Sequence, residues 1–369
     1  MKLSSILGRY ISKQLIATFL LVLITIMGII MMFDAIEALR RISGREDVGM
    51  SYVVEYVITR LPQTVDKVLP FIMMVAAMIS FWKVSKSNEY VIIRSSGVSV
   101  WGFLYPVLLS VFIVGVINIA LINPISSKMY EMHETIKYRF VTRNPNAMLF
   151  SSKGLWIREA AANDTVLVLK AKSLRQEDGK VLSMQDVSIL EMDRQSQIIK
   201  RIEALLGELK ENKIKLRGVK IFESGKETKT IANMEYDTEI NLERIKENFI
   251  DPDAISFWEL PETIKFYENS GFSADRHKMR YLSLIASPFL LVAMVLIASL
   301  FALKPSMRQG GVMLLIVSGI TTGFVIYFAS QLVYAFGING YIPIWFAVWA
   351  PTLVVMLLGS SAMLHKEEA

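Results

Sequence analysis

The chain contains no cysteine, which excludes disulfides, thiolate metal sites and cysteine nucleophiles together. Histidine is almost as scarce. The three present, His133, His277 and His365, are scattered and lack the spacing of a metal-ligand set. There is no GxxxxGK[ST] phosphate loop, no HExxH pair and no GxSxG nucleophile elbow. No catalytic or metal centre is therefore expected, and work that needs ATP must draw its hydrolysis from another chain. Charge is also missing, but only locally: no Asp, Glu, Lys or Arg occurs from Gln309 to Leu364, a stretch too long for one membrane crossing.

What is present is apolar. Of 369 residues, 53% are hydrophobic, and the mean hydropathy is +0.42, which points to membrane insertion. Charges concentrate between about 124 and 276, where acids and bases nearly balance, so the net +6 belongs to the apolar remainder. A nucleic-acid footprint would instead be a basic stripe on a soluble fold, so no nucleic-acid partner is expected. Met1 to Lys13 is too polar for a signal peptide, and the apolar run after it lacks a small-residue cleavage site. The first span is expected to be retained.

Crossing ~30 Å of hydrocarbon takes about 20 apolar residues. On that criterion the first span is Leu15–Phe33. The second is roughly Val68–Trp82, extended by Tyr52–Ile58, with Pro62 and Pro70 setting bends. The third is Val98–Ile122 and the fourth Tyr281–Leu303. The turn signal Gly337–Pro343 divides the charge-free stretch into spans five and six. Lys2, Arg9, Lys13, Lys83, Lys86, Arg94, Lys304, Arg308 and Lys366 fall in one set of loops with few acids, which places those loops and both termini in the cytoplasm. The expected fold class is thus an α+β membrane protein, with six transmembrane helices split three and three around an inserted periplasmic antiparallel β domain. Its parts are an N-terminal membrane half (1–123), the β domain (124–276) and a C-terminal membrane half (277–369). Leu3, Ile6, Leu7, Tyr10 and Ile11 fall at helical spacing, as either a separate surface helix or the first turns of span one.

Within the inserted domain, Val166–Leu169 is a continuous apolar run, as in a strand buried on both faces. Lys213–Arg217 and Val219–Phe222 alternate polar with apolar, with turn signals at Glu177–Gly179, Glu211–Asn212 and Ser224–Gly225. A β-sandwich, jelly-roll or open barrel is expected. A connecting helix follows over about 255–270, its regular part beginning near Pro261 and stopping at Ser270–Gly271.

Four features carry candidate chemistry. The amphipathic segment Ser87–Gly97 (coupling-helix range about 84–97), with Glu89 and Arg94, suits docking into a groove on a partner; the alternative is a solvated loop helix on the membrane. Arg40, Arg41 and Arg45 stand beyond the outer end of span one, where guanidinium groups suit the phosphates of an anionic lipid; the alternative is a set of anchors paired with Glu37, Glu46 and Asp47. Arg60, Asp66 and Lys67 near the outer part of span two must pair or face water, as a cavity wall or as a structural pair. Gly319 and Gly323 form a GxxxG in span five, for contact within the chain or with another subunit.

Several patterns taken together resemble one family. They are the spacing of Pro62 and Pro70, Glu89 followed by Gly97, Gly154-Leu155-Trp156, Asp251-Pro252-Asp253-Ala254, and Gly323-Phe324-Val325-Ile326-Tyr327-Phe328. In this order and spacing the chain resembles, over essentially its full length, the LptF/LptG permeases of lipopolysaccharide export, and more the LptG branch. The resemblance implies a multi-pass protein of the inner membrane of a Gram-negative bacterium with a jelly-roll domain in the periplasm, a homologous LptF-like permease partner and two cytoplasmic LptB-like ATPases that use ATP and Mg. It also implies LptC-like and LptA-like bridge proteins that receive the lipid. It makes the segment around Glu89 the coupling helix, and it makes spans one and five, with Gly28, Gly319 and Gly323, gates for lipid. Arg40 and Arg41 are the nearest counterparts of the family's headgroup contacts, and Arg45 and Lys67 are further candidates for substrate binding. One departure is that Gly28-Ile29-Ile30 is followed by Met31 where LptG proteins can have a lysine soon after. The rival from another class is a membrane-anchored periplasmic receptor or assembly factor; two anchoring helices would suffice for that, so six spans favour a conduit. An ion-coupled transporter would place carboxylates deep in several spans, and spans three to six have none.

Overall fold

The computed structural model describes residues 2–42, 49–140, 148–151, 154–161, 165–177, 181–192, 198–210, 213–223, 227–238, 251–269, 272–303 and 311–368. Two compact units emerge: residues 1–136, 256–258 and 278–369 form the first, and 137–255 with 259–277 the second.

The first unit is helical. Six helices are long and apolar enough to cross a bilayer, over Leu7–Arg41, Met50–Lys86, Val100–Lys137, Asp275–Ala302, Val317–Ile338 and Ile344–His365. α1 (Lys2–Ile42) is continuous, so the polar N-terminal stretch forms the first turns of span one rather than a separate surface helix. α2 (Met50–Lys86) has 37 residues and contains both Pro62 and Pro70; at 1.5 Å per residue it is about 55 Å long, well beyond the hydrocarbon layer. α3 (Glu89–Ser95) is short, and α4 (Val100–Ile117) starts at Ser99, whose Oγ accepts the Gly102 N–H at 2.9 Å. A single π turn (Asn118–Ile122) joins α4 to α5 (Asn123–Phe140). α7 (Asp275–Ala302), α8 (Gly311–Ile338) and α9 (Ile344–Glu368) supply the remaining spans. The N-terminus of α1, the C-terminus of α2, α3 and the C-termini of α7 and α9 share one face, here called the termini face.

Burial ranks the spans. In their most apolar windows 61% of α2 and 67% of α7 are buried, against 22% of α1 and 11% of α8, so α2 and α7 are the centre of the unit. Both feed one buried cluster, α2 through Ile72, Met73, Ala76, Ala77 and Phe81 and α7 through Leu291, Ala293, Leu296 and Ala298, together with Phe103, Leu104 and Val107 of α4. Where lipid tails remove any hydrophobic drive between helices, small residues set the approach. Gly115 shows why: a Cβ there would lie 2.7 Å from Pro288 Cα and 2.8 Å from its Cβ.

The second unit is one antiparallel sheet in the order β1 to β7: Met148–Ser151, Gly154–Ala161, Thr165–Glu177, Val181–Met192, Ile198–Lys210, Lys213–Glu223 and Lys229–Asp237. Among the described strands each pairs with its sequence neighbours, a meander order that does not confirm the jelly-roll expected; successive strands are separated by only two to five residues of sequence, too few for the long crossing connections of a jelly-roll. Leu167 and Leu169 of the apolar run are buried and Val168 is half-buried, so β3 alternates rather than burying both faces equally. One sheet face packs on Ile264, Tyr267, Phe272 and Ala274, brought by α6 (Leu260–Asn269) and the residues after it.

A crease crosses the long strands. Gln185 pairs with Leu206 and Val187 with Ala204, leaving Asp186 opposite Leu205; Leu206 pairs with Arg217 and Ala204 with Val219, leaving Gly218 on the same line. At that line two consecutive residues face outward in β4, β5 and β6, after which burial resumes one residue out of phase. Each strand thus spends an additional residue on turning, as at a bulge. Asp186 (φ 51°) and Gly218 (φ 67°) make the turn in left-handed backbone. On the inner side of the corner Gly207 leaves room for Val187, Met184 and Leu216, the nearest of which would lie 3.0 Å from a Cβ.

Candidate functional site

α3 is held from behind and open in front. Its N-cap Asn88 has φ 60° and Gly97 has φ 82°, so left-handed residues bracket the helix and reverse the chain at each end. Tyr90 is buried and meets Phe103 edge-on at 5.9 Å, while Ile93 packs on the membrane core. Glu89 accepts a hydrogen bond from Ser87 Oγ at 2.9 Å, and Arg94 Nη1 donates to the Val98 carbonyl at 3.5 Å. The outward side carries Val91 and Ile92, 40% and 63% exposed, with Ser95 and Ser96. Of the two sequence-level readings for this segment, an apolar pair displayed on a pinned helix suits a groove in a protein partner.

Arg40 and Arg41 close the last turn of α1, where positive charge complements the helix dipole. Both reach Glu37, Arg40 Nε at 3.5 Å and Arg41 Nε at 3.1 Å, and the Arg41 guanidinium lies 5.9 Å from the Tyr56 ring centroid. Arg40 remains 79% exposed, so a shared carboxylate leaves it open to an external anion. Arg45, Glu46 and Asp47 lie outside the described residues. Lys67 is exposed on α2 and is not brought beside the arginines. Arg41 meets α2 at Tyr56, and the 11 residues from there to Lys67 amount to about 16 Å of helix.

The charges around span two resolve into pairs. Arg60 Nη1 donates to Asp34 Oδ1 at 2.8 Å, tying α2 to α1. Asp66 uses both carboxylate oxygens: Oδ1 accepts from Asn118 Nδ2 at 2.7 Å and Oδ2 from Arg280 Nη2 at 3.0 Å, with both side chains of the ion pair nearly buried. Three spans therefore meet at one polar point. Asn118 and Arg280 carry no local signal: Asn118 opens a π turn inside an apolar run, and Arg280 directly precedes the apolar stretch of span four, 214 residues from its partner. Beside this point the segment Ser256–Trp258 is fastened to the π turn and to the first residue of α5, since Trp258 Nε1 donates to the Ala120 carbonyl at 3.3 Å and Phe257 N to Asn123 Oδ1 at 2.8 Å. Phe257 also stacks on Tyr281, with ring centroids 5.3 Å apart.

The glycines separate into two kinds. A Cβ at Gly319 would overlap Met78, and one at Gly323 would overlap Met74, so the GxxxG of span five lets α8 approach α2 within the chain. Gly28 is exposed and a Cβ there would meet nothing within 4 Å among the described residues. His133 packs on Tyr56 at 4.4 Å and His277 on Tyr267 at 4.6 Å, in separate aromatic groups. On the outer side of the β crease a cleft of about 340 Å³ is lined by Asp186, Glu203 and Lys220 with Leu205, charges of both signs. The Asp-Pro-Asp-Ala sequence forms a capped 3₁₀ turn, with Asp251 Oδ1 accepting the Asp253 N–H at 2.9 Å.

Residues 9–365 match the family model of the lipopolysaccharide export system permease LptF/LptG. The lipopolysaccharide export system permease protein LptG of Escherichia coli (strain K12) is 20% identical over 337 residues, covering 89% of both chains. The protein of the same name from Haemophilus influenzae (strain ATCC 51907 / DSM 11121 / KW20 / Rd) is 21% identical over 369 residues, covering 95% of this chain and 96% of its own. Six membrane-length helices with an antiparallel sheet inserted between the third and fourth accompany that match. With nearly its whole length matched by the family model, the chain belongs to the LptF/LptG permease family and is a multi-pass membrane protein.

Proposed function

We propose that this chain is a permease subunit of an ABC transporter that extracts lipopolysaccharide from the outer leaflet of the inner membrane and passes it to a periplasmic bridge. ATP, with Mg, is hydrolysed by two partner subunits at the cytoplasmic face, which is the termini face by the lysine and arginine distribution. A homologous permease completes the cavity. The observation that carries this reading is α3, with buried Tyr90 behind and exposed Val91 and Ile92 in front, beside Glu89. Such a knob delivers motion from a soluble engine to a membrane helix, because it is fixed on one side and free on the other. Arg40 and Arg41 would receive a headgroup phosphate, and the apolar face of the β sheet would accept acyl chains.

The test is Ile92→Asp together with Glu89→Arg, each in the full chain expressed with its partner subunits. Both variants should insert normally, lose at least ten-fold in co-purifying ATPase and stop lipopolysaccharide transport. Undiminished ATPase capture and transport would contradict the assignment of α3. A chain that binds a soluble periplasmic protein and no ATPase would favour a receptor.

A further inference from the structure

Asp66 and Arg280 form a nearly buried ion pair in a chain that packs its last two spans with no charge at all between Gln309 and Leu364. Apolar contacts therefore suffice to pack helices in this protein, and a buried pair is a poor way to add stability alone, since desolvation offsets much of the attraction. What a pair specifies well is register. Its position is informative: α2 and α7 run in the same direction and are tied twice, at Asp66–Arg280 and, toward the termini face, by Ser85 Oγ donating to the Ala302 carbonyl at 2.9 Å. The two ties are 19 residues apart on α2, about 28 Å of helix, close to the thickness of the hydrocarbon layer. Two helices joined at both ends of a membrane thickness cannot slide past one another.

The outer tie sits where α2 needs it. Pro70 lacks the N–H that would bond the Asp66 carbonyl four residues back, so α2 is weakened at that turn, and the Asp66 side chain fastens it there to Asn118 of the π turn and to Arg280. On the termini side the same helix runs directly into α3 through Ser87 and Asn88. Beyond the outer tie, Ser256–Trp258 is bonded to the π turn and stacked on Tyr281, the residue after Arg280.

We infer that Asp66, Asn118 and Arg280 are positioning residues for lipid transport, locking spans two, three and four into one block that carries displacement of α3 across the membrane to the Ser256–Trp258 segment. This rests on the permease reading. Without the lock α2 yields at Pro70, and movement of α3 is absorbed within the helix. ATP is then consumed without delivery.

The experiment measures lipopolysaccharide released to a soluble acceptor per ATP hydrolysed, in proteoliposomes holding the full chain with its permease and ATPase partners. Compared are wild type, Arg280→Met, the apolar pair Asp66→Leu/Arg280→Met and the reversed pair Asp66→Arg/Arg280→Asp. Arg280→Met should lower lipid released per ATP about ten-fold, and the reversed pair should recover most of it. The apolar pair should recover thermal stability but not the lipid-to-ATP ratio, which is the result a merely structural pair would not give. Recovery of that ratio by the apolar pair, or an unchanged ratio in Arg280→Met, overturns the inference. If Arg280→Met does not assemble, the apolar and reversed pairs decide by the same ratio. Wild-type complexes that hydrolyse ATP and release no lipid would instead overturn the permease reading.

Discussion

Gly28 and Gly115 both stand in membrane helices, yet they have opposite surroundings. A Cβ at Gly115 would strike the backbone of Pro288, which cannot rotate away, whereas one at Gly28 would enter open space. Gly115→Ala should therefore lower stability by about 1–3 kcal/mol, the usual penalty of overpacking. Gly28→Ala should leave it unchanged or raise it by up to ~1 kcal/mol, the helix-propensity gain of alanine. Thermal unfolding of the detergent-solubilised chain compares the two, and equal effects would contradict the packing described. Such differences lie beyond sequence reading, because the neighbour that matters is on another helix. The same limit explains Asp66. Its ionisable character inside a span was visible and left two readings open, a cavity wall or a structural pair; Arg280 as partner was not, being 214 residues away. Arg40 and Arg41 were legible as a cluster because a charge pair at a helix end is a local pattern, and Glu37 follows from the same turn.

At the scale of elements, spans are legible because about 20 consecutive apolar residues have few other uses. The π turn at Asn118–Ile122 was not, since nothing in Asn-Ile-Ala-Leu-Ile distinguishes π from α winding. The strands are a more instructive case. β6 reads in sequence as two alternating stretches, Lys213–Arg217 and Val219–Phe222, because the alternation breaks at Gly218; the structure joins them into one strand that turns at that residue. The interruption was visible, and its meaning as a crease depended on Asp186 and Leu205 standing opposite in neighbouring strands. Gly218→Val should cost about 1–3 kcal/mol, because a β-branched residue resists left-handed backbone, and a Cβ there would also press on Leu205 at 3.1 Å. Asp186→Asn should be nearly neutral, since Asn tolerates the same backbone. Urea unfolding followed by the β-sheet signal of the full chain measures both, and a neutral Gly218→Val would remove the crease from the account.

For the whole molecule, the division into a helical unit and an inserted sheet was legible from the distribution of charge, with most of the charged residues between about 124 and 276. The sheet's meander order was not, because strand neighbours are set by hairpin lengths and not by the apolar pattern alone. Membership of the LptF/LptG family joins six spans and sheet into one transport component, and the proposed cargo and driving subunits extend that membership to a mechanism. Purification of the full chain from native membranes, with identification of every co-purifying chain and lipid, tests this most directly. A second permease, an ATPase and lipopolysaccharide are expected in the same complex; a chain recovered alone or with only a soluble protein ligand would contradict the permease reading.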